Sequence, residues 1–170
     1  LKVNVGDANE RTEGFHKAVS LLGGLDILVN AAGIQRRYPC EEFPIEDWEA
    51  VIDINLTAPF ALSQLAILEF EKKEQPYGKI INFSSMLAFF GGFTVPAYAA
   101  SKGGVAQFSK ALCNEVASKG INVNCIAPGY MATDMNTALT DPNNPRNREI
   151  TARIPARRWG TPDDIKGLII

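Results

Sequence analysis

Short continuous apolar runs alternate along this chain with longer stretches in which apolar residues recur at helical spacing. "LKVNV" (1–5) reads as a short strand followed by a turn at Gly6-Asp7. Over 9–22, Phe15, Ala18, Val19 and Leu22 share one helical face, and Gly23-Gly24 stop the helix. "LDILVN" (25–30) is unbroken, the pattern of a strand buried on both faces of a parallel sheet. A long helix is predicted over 44–70, then a second buried strand, "KIINFS" (79–84). Another long helix is predicted over 96–119, with proline at its start and Gly120 just past its end. "INVNCIA" (121–127) is the third buried strand. From Pro128-Gly129 to about Pro155 the pattern lapses into an irregular stretch rich in Pro and Asn. "TPDD" (161–164) opens a last helix, with Thr161 as N-cap and Pro162 in the first turn.

Strands and helices in this rhythm imply βαβ units, hence a doubly wound parallel α/β sheet of Rossmann type. Ligands of such sheets sit beyond the carboxyl ends of the strands. Asn30, Ser84-Ser85 and Pro128-Gly129 each follow a predicted strand and therefore fall there. Both ends of the chain read as cut: Leu1 is not Met, and "DDIKGLII" stops inside a helical pattern without a cap. An internal fragment forming one domain over 1–170, truncated at both ends of the fold, is expected.

Composition narrows the function classes. With 46% hydrophobic residues, 21% charged residues and a net charge of −2, no electrostatic case exists for nucleic acid or an anionic membrane as partner. Cys40, Cys113 and Cys125 are scattered and form no CxxC pair, which fits a reducing compartment and a cytoplasmic location. His16 is the only histidine, which argues against a Ser-His-Asp hydrolase and against a multi-histidine metal site. No metal is expected. No stretch reads as apolar for long enough to span a bilayer, and no signal peptide opens the chain.

The chemistry concentrates in "FSSMLAFFGGFTVPAYAASKGGV" (83–105). Tyr98 and Lys102 are four residues apart, one turn on one helix face. Val105, Phe108, Leu112 and Val116 supply the packing stripe of that helix, so neither polar residue is needed for it. An ammonium near a phenol favours the phenolate and lowers the tyrosine toward the range of a general acid. Ser85, at a strand end, can hydrogen-bond the same substrate oxygen that Tyr98 protonates. Asn55 lies on an apolar stripe with Trp48, Ile52, Leu56 and Pro59. Pro59 has no N–H to give the Asn55 carbonyl, and a freed carbonyl can hold a water; a core Asn bonded to a neighbouring loop is the alternative. "NAAG" (30–33) places small residues where backbone passes close to a ligand or simply turns.

Taken in order, "VNVGD", "LDILVNAAG", Asn55, Ser85 with "YAASK", and "INVNCIAPGYMATDM" resemble the short-chain dehydrogenase/reductase family over nearly the whole chain. The resemblance implies an NAD(P)-dependent oxidoreductase, with NAD favoured, acting between a secondary alcohol and a ketone. It assigns Tyr98 as proton donor and acceptor, and Lys102 as the group that holds the nicotinamide ribose and lowers the tyrosine. Ser85 would steady the substrate carbonyl and Asn55 anchor a water relay. Asn4 and Val5 would flank the adenine; Asn30, Gly33, Tyr98 and Lys102 would line the cofactor. Pro128, Gly129, Met131 and Thr133 would meet its carboxamide and pyrophosphate side. The family's second Asn of "NNAG" is Ala31 here, which puts a sheet-bracing hydrogen bond in question. The family's Gly-rich pyrophosphate loop and the residue that selects NAD or NADP lie upstream of Leu1, and its last strand beyond Ile170.

"GIQRR", "SSMLAFFGG", "VPAYAASKGGV" and "RIPARRWGTPDD" resemble the branch of that family acting on deoxy-gluconate-type sugar acids. A substrate carboxylate could be clamped by Arg36 or Arg37, with Arg153 a further candidate, or these arginines are simply solvated. A ketoreductase of fatty-acyl or polyketide-type metabolites is the alternative, and a non-catalytic cofactor-binding protein the rival from another class. Ala99, Ala100, Gly103 and Gly104 permit close helix approach, and the resemblance implies a homodimer or homotetramer.

Overall fold

The computed structural model describes residues 1–169, which form two compact units, Leu1–Ala127 and a second from Pro128 onward. In the first unit, α1 (Ala8–Leu22) starts on Asp7, whose carboxylate accepts the Asn9 and Glu10 N–H groups, each at 2.9 Å. It ends on Gly23 at φ 73°, a left-handed cap that a side chain would strain. After β1 (Ile27–Asn30), α2 (Ile45–Ile52) runs through a π turn at Asp53–Thr57 into α3 (Ala58–Phe70). There follow β2 (Gly78–Phe83), the short α4 (Leu87–Phe90), α5 (Pro96–Val116) and β3 (Ile121–Ile126).

The three strands pair in parallel in the order β1-β2-β3, with Asn30 opposite Asn82 and Asn82 opposite Cys125. This is the α/β parallel sheet of Rossmann type expected from the sequence. Its core gathers Phe15 of α1, Ala66 and Phe70 of α3, Val116 of α5, Ile80 of β2, and Ile121 and Val123 of β3.

Three local expectations are corrected. Residues 1–5 form no strand: no described strand lies beside them, and they dock on α1 instead. Val3 packs so closely on Gly14 that a Cβ there would lie 2.6 Å from it, and the Val5 carbonyl accepts from Arg11 Nη1 at 2.7 Å. The "LDILVN" strand is buried on one face only, because no described helix covers Ile27 (52% exposed) and Val29 (45%). Finally, Ile45–Phe70 is long and apolar enough to span a bilayer by length and composition, at mean hydropathy 1.5. Its Val51, Asn55, Ala58, Ser63, Ala66 and Phe70 are nevertheless buried within the unit.

In the second unit the expected irregular stretch contains two helices, α6 (Thr137–Thr140) and α7 (Pro145–Arg153). Asn144 caps α7 by accepting the Arg146 N–H at 3.0 Å, and Pro145 follows at the first turn. The last helix, α8 (Asp163–Ile169), starts with the expected cap reversed. Thr161 donates both its N–H (2.7 Å) and its hydroxyl (3.1 Å) to the Asp164 carboxylate, which Arg158 also grips with two bonds.

Candidate active site

The end of β2 holds the first turns of α5 through three consecutive residues. The Phe83 carbonyl accepts from Lys102 Nζ at 2.7 Å. The Ser84 hydroxyl donates to the Lys102 carbonyl at 2.8 Å. Ser85, 8% exposed, lies near enough to the Tyr98 hydroxyl to pull the phenol down, and its own oxygen accepts the Leu87 N–H at 3.2 Å. Lys102 Nζ lies 5.7 Å from the centre of the Tyr98 ring. The strand thus brings Ser85, Tyr98 and Lys102 together, as their spacing implies.

Their acidities differ from the expectation in one respect. Burial pushes the Tyr98 phenol up, and Ser85 pulls it back only in part. The net direction is upward because burial outweighs the pull of Ser85. Lys102, only 5% exposed, is itself lowered to about 8, chiefly by burial, with Cys125 acting weakly the other way.

Asn55 has no exposed surface and sits inside the π turn. The Ala58 N–H reaches back to the Asp53 carbonyl, an i to i+5 bond, and Pro59 offers no N–H to the Asn55 carbonyl. Its side chain is fully used: Oδ1 accepts the Ile34 N–H at 2.8 Å, and Nδ2 donates to the Ile34 carbonyl at 2.9 Å and to Ser101 Oγ at 3.2 Å. The side chain thus braces the neighbouring Ile34 loop, as one of the two readings of Asn55 has it, and its main-chain carbonyl lacks the i+4 donor that Pro59 withholds.

Gly33 shows a cradle. A Cβ built on it would lie 3.3 Å from Asn55 Oδ1 and 3.7 Å from Lys102 Nζ, so a side chain would fill the space beside the ammonium. A ligand that must approach Lys102 closely fits there. Asn30 is committed differently. Its Nδ2 donates to Asn82 Oδ1 at 2.8 Å and lies 3.3 Å from Ser63 Oγ, while Asn82 Nδ2 donates to Ser109 Oγ at 2.9 Å. This buried chain from α3 across β1 and β2 to α5 braces the sheet without the Asn that Ala31 replaces. Just ahead of α1, Asn4 Oδ1 accepts the Gly6 N–H at 3.1 Å, shaping the turn that follows Val5.

The candidate arginines lie at the surface of their units. Arg36 Nε pairs with Asp47 at 3.3 Å, and Arg37 is exposed. In the second unit, Met131 bridges to Gly160, and its carbonyl accepts from Asn136 Nδ2 at 3.0 Å. Thr133 is extended at φ −134° and starts a helical turn, Pro128 and Gly129 lie in the irregular lead-in, and Arg153 is exposed in the last turn of α7. Ser101, Asn82, Ser63 and Ser109 were not singled out from the sequence. Their signal was weak: serines and asparagines at positions that helical or strand periodicity places inside.

The profile of the family described as short chain dehydrogenase matches residues 1–144. A 2-dehydro-3-deoxy-D-gluconate 5-dehydrogenase of Dickeya dadantii is 45% identical over 167 residues, 98% of this chain and 65% of that protein. A crystal structure described as a 2-deoxy-d-gluconate 3-dehydrogenase of Agrobacterium tumefaciens, with bound NADP, is 45% identical at a TM-score of 0.89, covering 99% of this chain and 65% of that one. Another, described as an NAD(P) dependent gluconate 5-dehydrogenase of Beutenbergia cavernae with bound NADP, is 38% identical at a TM-score of 0.91, over 99% of this chain and 66% of that one. The chain therefore spans just under two thirds of the length of these relatives.

Proposed function

The chain belongs to the short chain dehydrogenase family, and from that premise we propose that the whole protein is an NAD(P)-dependent oxidoreductase that interconverts a secondary alcohol and a ketone on a gluconate-type sugar acid. The observation that carries the reading is the gathering of Ser85, Tyr98 and Lys102 at the end of β2, with Lys102 Nζ 5.7 Å from the centre of the Tyr98 ring and held by the Phe83 carbonyl. When bound, a nicotinamide dinucleotide supplies the hydride acceptor or donor. The Gly33 cradle beside Lys102 supports its placement. On this reading Asn4, Val5, Asn30, Gly33, Tyr98, Lys102, Pro128, Gly129, Met131 and Thr133 hold it, and residues 1–170 belong to one Rossmann-type domain.

In the oxidative direction Ser85 orients the substrate oxygen, and Tyr98, which must first lose its own proton against the upward push of burial, accepts the substrate's proton while the carbon loses hydride. Lys102 and a water on the freed Asn55 carbonyl carry that proton away. In the reductive direction Tyr98 returns a proton to the alkoxide oxygen. Arg36, Arg37 and Arg153 are the candidates for the substrate carboxylate. Phe60 and Leu68 on α3, 44% and 55% exposed, support a dimer or tetramer built on the long helices. The three free thiols support a cytoplasmic setting.

One observation favours the alternative ketoreductase reading: Phe89, Phe90 and Phe93, at 64%, 77% and 86% exposed, form an apolar surface on the segment between Ser85 and Tyr98. The whole protein, assayed by nicotinamide absorbance with both dinucleotides against keto-gluconates and long-chain ketones, decides between them. Turnover of keto-gluconates is expected. Turnover of the apolar ketones alone selects the alternative, and cofactor binding without turnover of anything selects a binding protein.

A further inference from the structure

We propose that Ser101 is a positioning residue for proton transfer, its buried hydroxyl holding Asn55 and the Tyr98 turn in one register; the proposal rests on the oxidoreductase reading above. Ser101 has no exposed surface. Its hydroxyl donates to the Tyr98 carbonyl at 2.8 Å and accepts from Asn55 Nδ2 at 3.2 Å.

The direction of each bond follows from donor counting. A primary amide has two N–H donors. The Ile34 carbonyl takes one at 2.9 Å, and Ser101 Oγ takes the other. The amide cannot flip without setting Oδ1 against the Ile34 carbonyl and its NH₂ against the Ile34 N–H. The single proton of the Ser101 hydroxyl points at the Tyr98 carbonyl, so its oxygen is left to face Asn55 as an acceptor. One hydroxyl therefore ties the α5 turn that carries Tyr98 and Lys102 to Asn55 of the π turn and, through the Asn55 side chain, to the Ile34 loop that follows Gly33.

The bond to Tyr98 runs to a carbonyl three residues back, the geometry by which a helical serine competes with the helix ladder and adjusts its turn. Here that turn is the one between Tyr98 and Lys102. Ser101 bonds only the backbone of Tyr98 and the side chain of Asn55, so it acts through them. Without it, one Asn55 N–H is buried without its acceptor, and the π turn loses its tie to the α5 turn that carries Tyr98 and Lys102.

The test uses the whole protein as Ser101→Ala and Ser101→Thr, with Tyr98→Phe alongside. Misplacing a proton-transfer group by a fraction of an ångström is expected to lower kcat of Ser101→Ala about tenfold or more. The dinucleotide KM should stay within about twofold, and the pH profile of kcat should shift, because the relay and not uniform binding is disturbed. Ser101→Thr keeps the hydroxyl and is expected to recover most of the rate and the original pH profile. Ser101→Ala with unchanged kcat and pH profile, or with a loss that only tracks the fraction of folded protein, overturns the proposal. If Ser101→Ala does not fold, Ser101→Thr decides: a folded Thr variant with shifted pH profile and depressed kcat overturns it. Tyr98→Phe separates the levels. If it is inactive while Ser101→Ala is not impaired, this proposal alone fails; if it keeps the full rate, the oxidoreductase reading fails first.

Discussion

Lys102 donates its Nζ to the main-chain carbonyl of Phe83 at 2.7 Å, at the point where β2 ends and the serines begin. One neutral acceptor does not replace the hydration of an ammonium, so burial still lowers Lys102 from 10.5 to about 8. Between those two values the unfolded chain binds a proton that the folded chain has lost, so stability contributed by this group rises with pH. Below about pH 8 both states are protonated and the folded state bears the whole cost of the buried ammonium, about 3 kcal/mol. In urea unfolding, wild type is expected to gain on Lys102→Met from pH 8 toward pH 10.5. A difference between the two that stays flat over that window contradicts the buried ammonium.

Asn82 joins the two halves of the buried polar chain, accepting from Asn30 and donating to Ser109. Asn82→Ala strips both partners at once in a place water does not reach. The expected loss in unfolding free energy is about 2–4 kcal/mol. Rate per folded molecule at saturating dinucleotide should change little, since Asn82 itself bonds none of Ser85, Tyr98 and Lys102. Denaturant titration with active-site counting measures both.

Pro59→Ala returns an N–H four residues after Asn55. The Asn55 carbonyl then has a helical partner in place of the water proposed for it. Stability should change by no more than about 1 kcal/mol, while turnover falls about tenfold or more. Full turnover by this variant would show that the freed carbonyl has no part in the relay.

Gly33→Ala places a methyl 3.3 Å from Asn55 Oδ1 and 3.7 Å from Lys102 Nζ. The methyl occupies space proposed for the cofactor without straining the backbone. Dinucleotide Kd, read by calorimetry on the whole protein, should rise about tenfold or more with little change in Tm. An unchanged Kd would place the cofactor elsewhere.

What was legible in the sequence followed from short-range regularities. The four-residue step from Tyr98 to Lys102, the unbroken strands, and the Pro and Gly at the ends of α5 depend only on local backbone geometry. The missing N–H of Pro59 foretold the disturbed helix at Asn55. The polar chain through Ser63, Asn30, Asn82 and Ser109 was not legible, because each member acquires its meaning only from partners on other elements. Ser101 stayed hidden for the same reason, one position from a residue that was singled out. The helix α7 was missed although Asn144-Pro145 is a start signal, because Pro and Asn richness was read as loop. The phenol's upward shift was out of reach as well: spacing shows which charge is near, but desolvation depends on how deeply the fold buries the ring. Likewise, "LDILVN" shows a strand without showing which of its faces is covered.

The most direct measurement is steady-state turnover by the whole protein carrying Tyr98→Phe, with the dinucleotide and a keto-gluconate, alongside thermal unfolding of the same preparation. The variant lacks only the phenol oxygen that would exchange the substrate's proton. Loss of turnover by about a hundredfold or more, with an unfolding transition close to wild type, is the expected result. Turnover above about a tenth of the wild-type rate in a folded variant contradicts the assignment of Tyr98 as the proton-transfer group.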